Sequence, residues 1–105
     1  MRIAIVEDET ESRKHLQTTL RKIDSTISVT TSLGSIAESV NYFQNQPLVD
    51  LVLMDIELSD GQGFEIFERT TNTKALLGQT SFCIYRKTNF LKILFCTSFN
   101  SQIKS

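Results

Sequence analysis

The last part of this sequence lacks acid. All twelve Asp and Glu residues stand at or before Glu68, while Arg69, Lys74, Arg86, Lys87, Lys92 and Lys104 follow with no carboxylate among them. Cations this sparse and without a motif make a weak footprint for nucleic acid, so direct nucleic-acid binding is not expected. Long apolar runs are missing too: none approaches the ~20 residues that span a bilayer, and no charged leader with an apolar core opens the chain. The expectation is a soluble, cytoplasmic protein without a membrane partner. Cysteine is scarce, with Cys83 and Cys96 the only two. They lack metal-ligand spacing and are expected as reduced thiols among apolar neighbours. No internal repeat or clear linker divides the chain.

What remains is the composition of one small folded domain: 105 residues, 40% hydrophobic and 22% charged, with a net charge of -1. That length allows a single core, and that balance excludes the low-hydrophobicity, high-charge signature of disorder. The domain is expected to span 1–105, with 70–105 as an atypical C-terminal segment.

Arg2 to Val6 is a short apolar run that ends abruptly in Glu7-Asp8-Glu9, the pattern of a buried strand entering a polar loop. A helix starting at Thr10 or Glu11 follows, with Leu16, Leu20 and Ile23 on one stripe. Thr26 to Thr31 alternates, placing Ile27 and Val29 on one face, which suits an edge strand, and Gly34 breaks it. Ser35-Ile36-Ala37-Glu38 is a capping box for a second helix with the stripe Ile36, Val40 and Phe43. Pro47, the only proline, blocks its continuation. Leu48 to Met54 is the most apolar stretch, interrupted only by Asp50, and runs into Asp55 as a central parallel strand. Ser59 to Gly63 is turn chemistry, after which Phe64 and Phe67 start a third helix. Beyond Arg69, Thr70 to Gln79 is helix or loop, and Ser81 to Tyr85 and Lys92 to Cys96 are candidate strands.

Alternating strands and helices predict an α/β parallel sheet in a flavodoxin-like arrangement, with the spatial order of the first three strands 2-1-3. The carboxyl ends of the first and third strands then lie side by side. Glu7, Asp8 and Asp55 share one crevice, with Glu9 and Glu57 on adjoining loops. Carboxylates so close cost energy unless a cation neutralises them or one takes a proton. Oxygen-only ligands at a shallow site favour Mg²⁺. An Asp beside Mg²⁺ is a plausible nucleophile toward phosphorus, because the metal screens the repulsion between two anions. Taken singly, each acid reads as a solvated loop residue; together on adjacent strand ends they favour a site.

Two segments, Ile5-Val6-Glu7-Asp8-Glu9 and the run from Leu53 through Asp55 and Gly63 to Glu65, resemble receiver domains of two-component response regulators. The wording is closest to the branch that carries a LytTR-type DNA-binding domain, and the likeness covers roughly residues 1–69. The resemblance implies a flavodoxin-like (CheY-like) fold, incomplete at its C-terminal end. It implies Asp55 as phospho-acceptor, Asp8 as a direct Mg²⁺ ligand, Glu7 as the second acid of the pair, and Glu57 as donor of a backbone carbonyl to the metal. Ser59 stands where the family usually has Pro. A sensor histidine kinase is the implied partner, docking beside the crevice on the first helix, and homodimerisation stays open. The role is phospho-acceptance in transcription-regulating signal transduction, not enzymatic turnover.

Ile93 to Asn100 resembles the family's fourth strand, which makes Thr97 the candidate switch hydroxyl. Its separation from Asp55 exceeds the family's usual one, so this assignment assumes an insertion or a different register. The family's phosphate-pairing Lys has no counterpart by order along the chain: Lys104 follows too closely, and Lys87 and Lys92 precede Thr97. The break at Glu68/Arg69 suggests a gene truncated, shifted in frame or rearranged there. A comparison of all three reading frames of the encoding DNA tests this, and the frame-shift version is wrong if no frame restores a usual receiver ending.

His15, the only histidine, reads as a surface helix residue. Gly61 and Gly63 lack the third glycine and the preceding strand of a dinucleotide loop and read as a turn. Two rival functions remain. One is a small Mg-dependent aspartyl phosphatase of the haloacid-dehalogenase kind, whose Asp-x-Asp is here Asp55-Ile56-Glu57. The other is a degenerate receiver acting as a non-switching interaction module.

Overall fold

A computed structural model describes residues 1–45, 47–71 and 73–87, together with the backbone of strand 91–97. The apolar run after Met1 forms β1 (Arg2–Val6), whose last four residues are buried. Helix α1 (Thr10–Ile23) follows, then β2 (Ser28–Leu33) and α2 (Ile36–Gln44). Strand β3 (Leu51–Asp55) leads into a small antiparallel hairpin, β4 (Glu57–Leu58) and β5 (Gly61–Gln62). Two short helices, α3 (Glu65–Arg69) and α4 (Thr73–Gln79), precede β6 (Ser81–Lys87) and β7 (Leu91–Thr97).

The main sheet has the order β2-β1-β3-β6-β7. The first four strands run parallel, as the alternation of elements requires, and β7 returns antiparallel to β6. The expected 2-1-3 order is present, with β2 at the edge. The fourth position, beside β3, belongs to Ser81–Lys87 and not to the segment around Ile93. That corrects the strand assignment drawn from the resemblance. The apolar alternation of Ser81 to Tyr85 is what makes this possible: Phe82, Ile84 and Tyr85 are all buried.

Period-two side chains divide the core between the two faces of the sheet. Ala4, Val6, Val52, Met54, Phe82 and Ile84 join Ile36 and Phe43 of α2, Ile66 of α3 and Leu76 of α4 in the larger cluster. The aromatic rings of Phe43 and Phe67 meet Phe82 edge-on at centroid distances of 5.7 and 5.1 Å, a favoured geometry. On the other face Ile3, Ile5, Leu16 and Tyr85 form a smaller cluster under α1. Ile23, expected on the buried stripe of α1, is instead 73% exposed.

Strand β2 begins later than the alternation suggested, and its register against β1 shifts between Ile3 and Ala4. Helix α2 starts as the capping box predicts, with Ser35 Oγ accepting from the Glu38 amide at 3.1 Å. A second cap comes from far along the chain: Asp60 carboxylate oxygens accept from the Ile36 amide at 3.0 Å and the Ala37 amide at 3.3 Å. His15 is exposed on α1, as expected. Cys83 is disulfide-bonded, correcting the expectation of a reduced thiol. The antiparallel pairing of β6 with β7 sets the backbone of Cys96 directly opposite it, a proximity that spacing along the chain does not reveal. Among the described residues no helix is long and apolar enough to cross a membrane.

Candidate functional site

Parallel pairing of β1 with β3 matches Val6 to Met54, so the residues that follow each of them emerge at the same end of the sheet. Glu7 is fully buried, Asp55 is 1% exposed and Asp8 is half-buried. One carboxylate oxygen from each of the three lies within 4.8 Å of the others. The sequence-predicted cluster is therefore assembled by the fold.

Local hydrogen bonds orient these acids. The Glu57 amide donates to Asp55 Oδ1 at 3.0 Å, and the Glu9 amide donates to Glu7 Oε2 at 3.1 Å. Gly63 lets the chain return close behind Asp55: a Cβ there would stand 2.6 Å from the Asp55 carbonyl oxygen and 3.0 Å from Met54 Sδ. Asp55 Oδ2, also buried, accepts no hydrogen bond. Burial, reinforced by the charge of Glu7, raises the Asp55 carboxyl above its usual range despite the opposing Glu57 amide and Lys87. A crevice of about 380 Å³ opens in front of it, lined by Asp8, Glu9, Asp55, Glu57, Ser59 and Lys87.

Two residues that sequence reasoning did not place here complete the site, and both come from the carboxyl end of β6. Asp55 is matched to Tyr85 in the β3–β6 ladder. The Tyr85 hydroxyl donates to Glu7 Oε1 at 2.8 Å. Its burial, with the nearby negative charge of Glu7, raises its ionisation well above the usual phenol range. Lys87 Nζ donates to Glu7 Oε2 at 2.6 Å and also to Glu9, and lies 3.3 Å from Asp55 Oδ2 and 4.0 Å from Asp8 Oδ1. Burial alone would lower the ammonium's pKa, but its hydrogen bonds to Glu7 and Glu9 and the charge of Asp55 raise it above the usual lysine range. The signal for both was the polar end Tyr85-Arg86-Lys87 of an apolar run, readable only once that run is the strand next to β3.

Thr97 is not brought to this cluster. Its backbone pairs with Phe82 at the amino end of β6, away from the Asp55–Tyr85 pairing; its side chain lies outside the described residues. Glu57 lines the crevice, with its side chain exposed and its amide on Asp55.

The ligand set is all oxygen, contains a buried carboxylate oxygen that faces the Lys87 ammonium at 3.3 Å, and opens on a crevice. Those features suit a small hard divalent cation such as Mg²⁺, which keeps several of its waters. Parallel strands with helices on both faces define an α/β domain whose acid cluster sits at the carboxyl ends of adjacent strands, where such sheets bind ligands. Residues 3–103 match the response regulator receiver domain family, and the chain belongs to that family. The fold is similar to that of the MaeR response regulator bound to beryllium trifluoride, with 27% identity and a TM-score of 0.66 over 86% of this chain and 70% of that one. An aspartate-to-alanine mutant of MaeR bound to sulfate is similar at 26% identity and a TM-score of 0.62, covering 84% and 68% of the two chains. The non-phosphorylated HemR receiver domain from Leptospira biflexa shares 31% identity with a TM-score of 0.52, over 64% of this chain and 51% of that one. No curated protein sequence matches the chain.

Proposed function

We propose that this receiver domain accepts a phosphoryl group from a sensor histidine kinase onto Asp55, in a reaction that depends on Mg²⁺. The observation that carries this reading is the convergence of Glu7, Asp8 and Asp55 oxygens within 4.8 Å at an acid-lined crevice, with the buried Asp55 Oδ2 facing only the Lys87 ammonium at 3.3 Å among the described residues. Asp8, Glu7, Asp55 and the backbone carbonyl of Glu57 would hold the ion. When bound, Mg²⁺ would supply charge that lets an anionic donor approach an anionic nucleophile. The Glu57 amide holds Oδ1, which leaves Oδ2 to form the new bond to phosphorus as the bond from phosphorus to the donor breaks. The product is an acyl phosphate on Asp55. The kinase would dock at the exposed side of α1, beside the crevice. The wording of the two motifs supports the LytTR-associated branch of regulators, in which DNA binding belongs to another domain.

A second reading has one observation in its favour: Lys87 already fills the acid cluster, as it would in a receiver kept as a non-switching interaction module. Incubation of the chain with Mg²⁺ and a small acyl-phosphate donor separates the two when intact mass is followed. A single phosphoryl adduct, absent in Asp55→Asn and in the absence of Mg²⁺, is expected. A folded sample that gains no mass refutes phospho-acceptance and leaves the interaction module.

A further inference from the structure

Strand β7 lies at the edge of the main sheet, and β6 is its only neighbour there. The antiparallel ladder between them starts at Lys87 and Leu91, next to the connection 88–90, and ends at Phe82 and Thr97. Its register shifts between Ile84 and Tyr85, a break that interrupts the run of ladder hydrogen bonds. The stretch beyond the break, Phe82 to Ile84 against Phe95 to Thr97, is the end from which an edge strand frays. Cys83 stands in that stretch, matched to Cys96. Residues directly opposite in an antiparallel pair have Cα atoms about 4.5–5.5 Å apart, inside the roughly 4.4–6.8 Å that a disulfide spans. Cys83 is disulfide-bonded, and Cys96 is the only other cysteine of the sequence.

The period-two pleat turns Cys83 away from its neighbours Phe82 and Ile84, which are fully buried in the larger cluster. The cover on the opposite face is thinner. Among the described residues, the helix side chains packed there are Leu16 and Leu20 of α1. Cys83 is half-buried, as is Leu53, its match on β3.

We propose that Cys83 and Cys96 form a reversible redox clasp, opened by a dithiol reductant, that sets whether β7 stays closed on the edge of the sheet. A thiolate of the reductant attacks Cys83 Sγ, the bond between the two cysteine sulfurs breaks, and Cys96 leaves as a thiolate that takes up a proton. The second thiol of the reductant then attacks the reductant's own sulfur in the mixed disulfide and releases Cys83 as a thiol. The two electrons and two protons lost by the dithiol thus end on the two cysteines, and an oxidised dithiol runs the same steps backwards. In the oxidised chain the clasp and the connection 88–90 hold β7 at both ends, which removes most of the freedom it would gain by coming away. In the reduced chain the far end is held by ladder hydrogen bonds alone. Strand β7 then opens from Thr97 back to the register shift and leaves the outer edge of Phe82 to Ile84 unpaired. The acid cluster stands at the other end of β6, so the clasp is separate from the phospho-acceptor reading and does not depend on it.

The full chain in native buffer tests this, by intact mass after iodoacetamide treatment and by hydrogen exchange followed by mass spectrometry. Without reductant no carbamidomethyl group should be gained; after dithiothreitol, with no denaturant, both cysteines should be alkylated. On reduction the β7 peptide containing Phe95 to Thr97 should exchange about tenfold faster or more, roughly the least that closing a loop contributes to an opening equilibrium. Peptides of β1 and β3 should be unchanged. Cys96→Ser should exchange like reduced wild type with or without dithiothreitol, which controls for the reagent, and if that variant does not fold the wild-type comparison decides. Alkylation without reductant, a covalent dimer, or β7 exchange indifferent to reduction would each overturn the proposal. So would a disulfide that yields only in denaturant, or a rise shared equally by β1 and β3, since either makes it a staple of the whole fold. No metal or phosphoryl donor enters these measurements, so a chain that opens on reduction but gains no Asp55 adduct would refute the proposed function and leave the clasp standing.

Discussion

Glu7 is buried without residual exposure, yet both of its oxygens are satisfied: one by the Tyr85 hydroxyl, the other by Lys87 and the Glu9 amide. A buried acceptor that loses its donor keeps its desolvation cost, typically about 1–3 kcal/mol. Tyr85→Phe should therefore lower the unfolding free energy by about that amount in urea titration, and an unchanged midpoint would show that Glu7 Oε1 finds another donor. Asp55 behaves in the opposite sense. Its carboxyl is raised by burial and by Glu7, so the folded protein holds that proton more tightly than the unfolded chain. Stability from this residue is present at acid pH and is lost as pH rises through the raised value. Asp55→Asn should consequently melt higher than wild type at neutral pH without metal, and the difference should fade below the ordinary carboxylate range. Thermal melts at several pH values check both the sign and the window.

Elements join to the site through backbone caps and close turns. Asp60 links the β4–β5 turn to the first amides of α2, and those hydrogen bonds hold its carboxyl below the usual range. Asp60→Ala should cost about 1 kcal/mol, the usual size of a lost helix cap. Because the pKa is lowered in the fold, the stabilisation is present above the ordinary Asp value and disappears as pH falls through the folded one. The difference between wild type and variant in denaturant midpoint should shrink accordingly in acid. The same turn contains Gly61, whose φ of 145° disfavours a side chain. Gly63 sets the spacing behind Asp55. A Cβ at Gly63 would meet backbone, not a flexible side-chain end, so Gly63→Ala forces the loop after β3 to move. We expect a loss of about 1–3 kcal/mol together with slower formation of the Asp55 adduct, measured by denaturation and intact mass. Full stability and a normal adduct rate would show that the loop yields freely.

At the scale of the whole molecule, β6 ties the sheet to the acid cluster through two groups of one sign. Tyr85 and Lys87 both hold their protons more tightly in the fold than in the unfolded chain. Their contribution is complete below about pH 10, where the unfolded groups begin to titrate, and is lost as pH rises beyond that. The melting temperature of the metal-free protein should fall with pH in that alkaline range. The fall should be shallower in Tyr85→Phe, and an identical slope would assign the effect to other groups.

Much of this could be read before folding is considered. Runs that end in acid, Arg2 to Val6 before Glu7 and Leu48 to Met54 before Asp55, state their own meaning, because a buried strand must leave its polar neighbours at its mouth. The Ser35 cap and the Phe43 stripe are likewise local, and the parallel order of the first three strands follows from alternation. Ser81 to Tyr85 and Lys92 to Cys96 were both legible as strands, but which of them lies beside β3 was not. In the fold Ser81–Lys87 takes that place, with Phe82 packed against Phe43 and Phe67. That choice removes Thr97 from the strand end next to Asp55 and delivers Tyr85 and Lys87 there. A carboxylate at a strand end is a property of one segment of chain. The cation that faces it depends on pairing between distant segments, and the tertiary structure alone decides which one arrives.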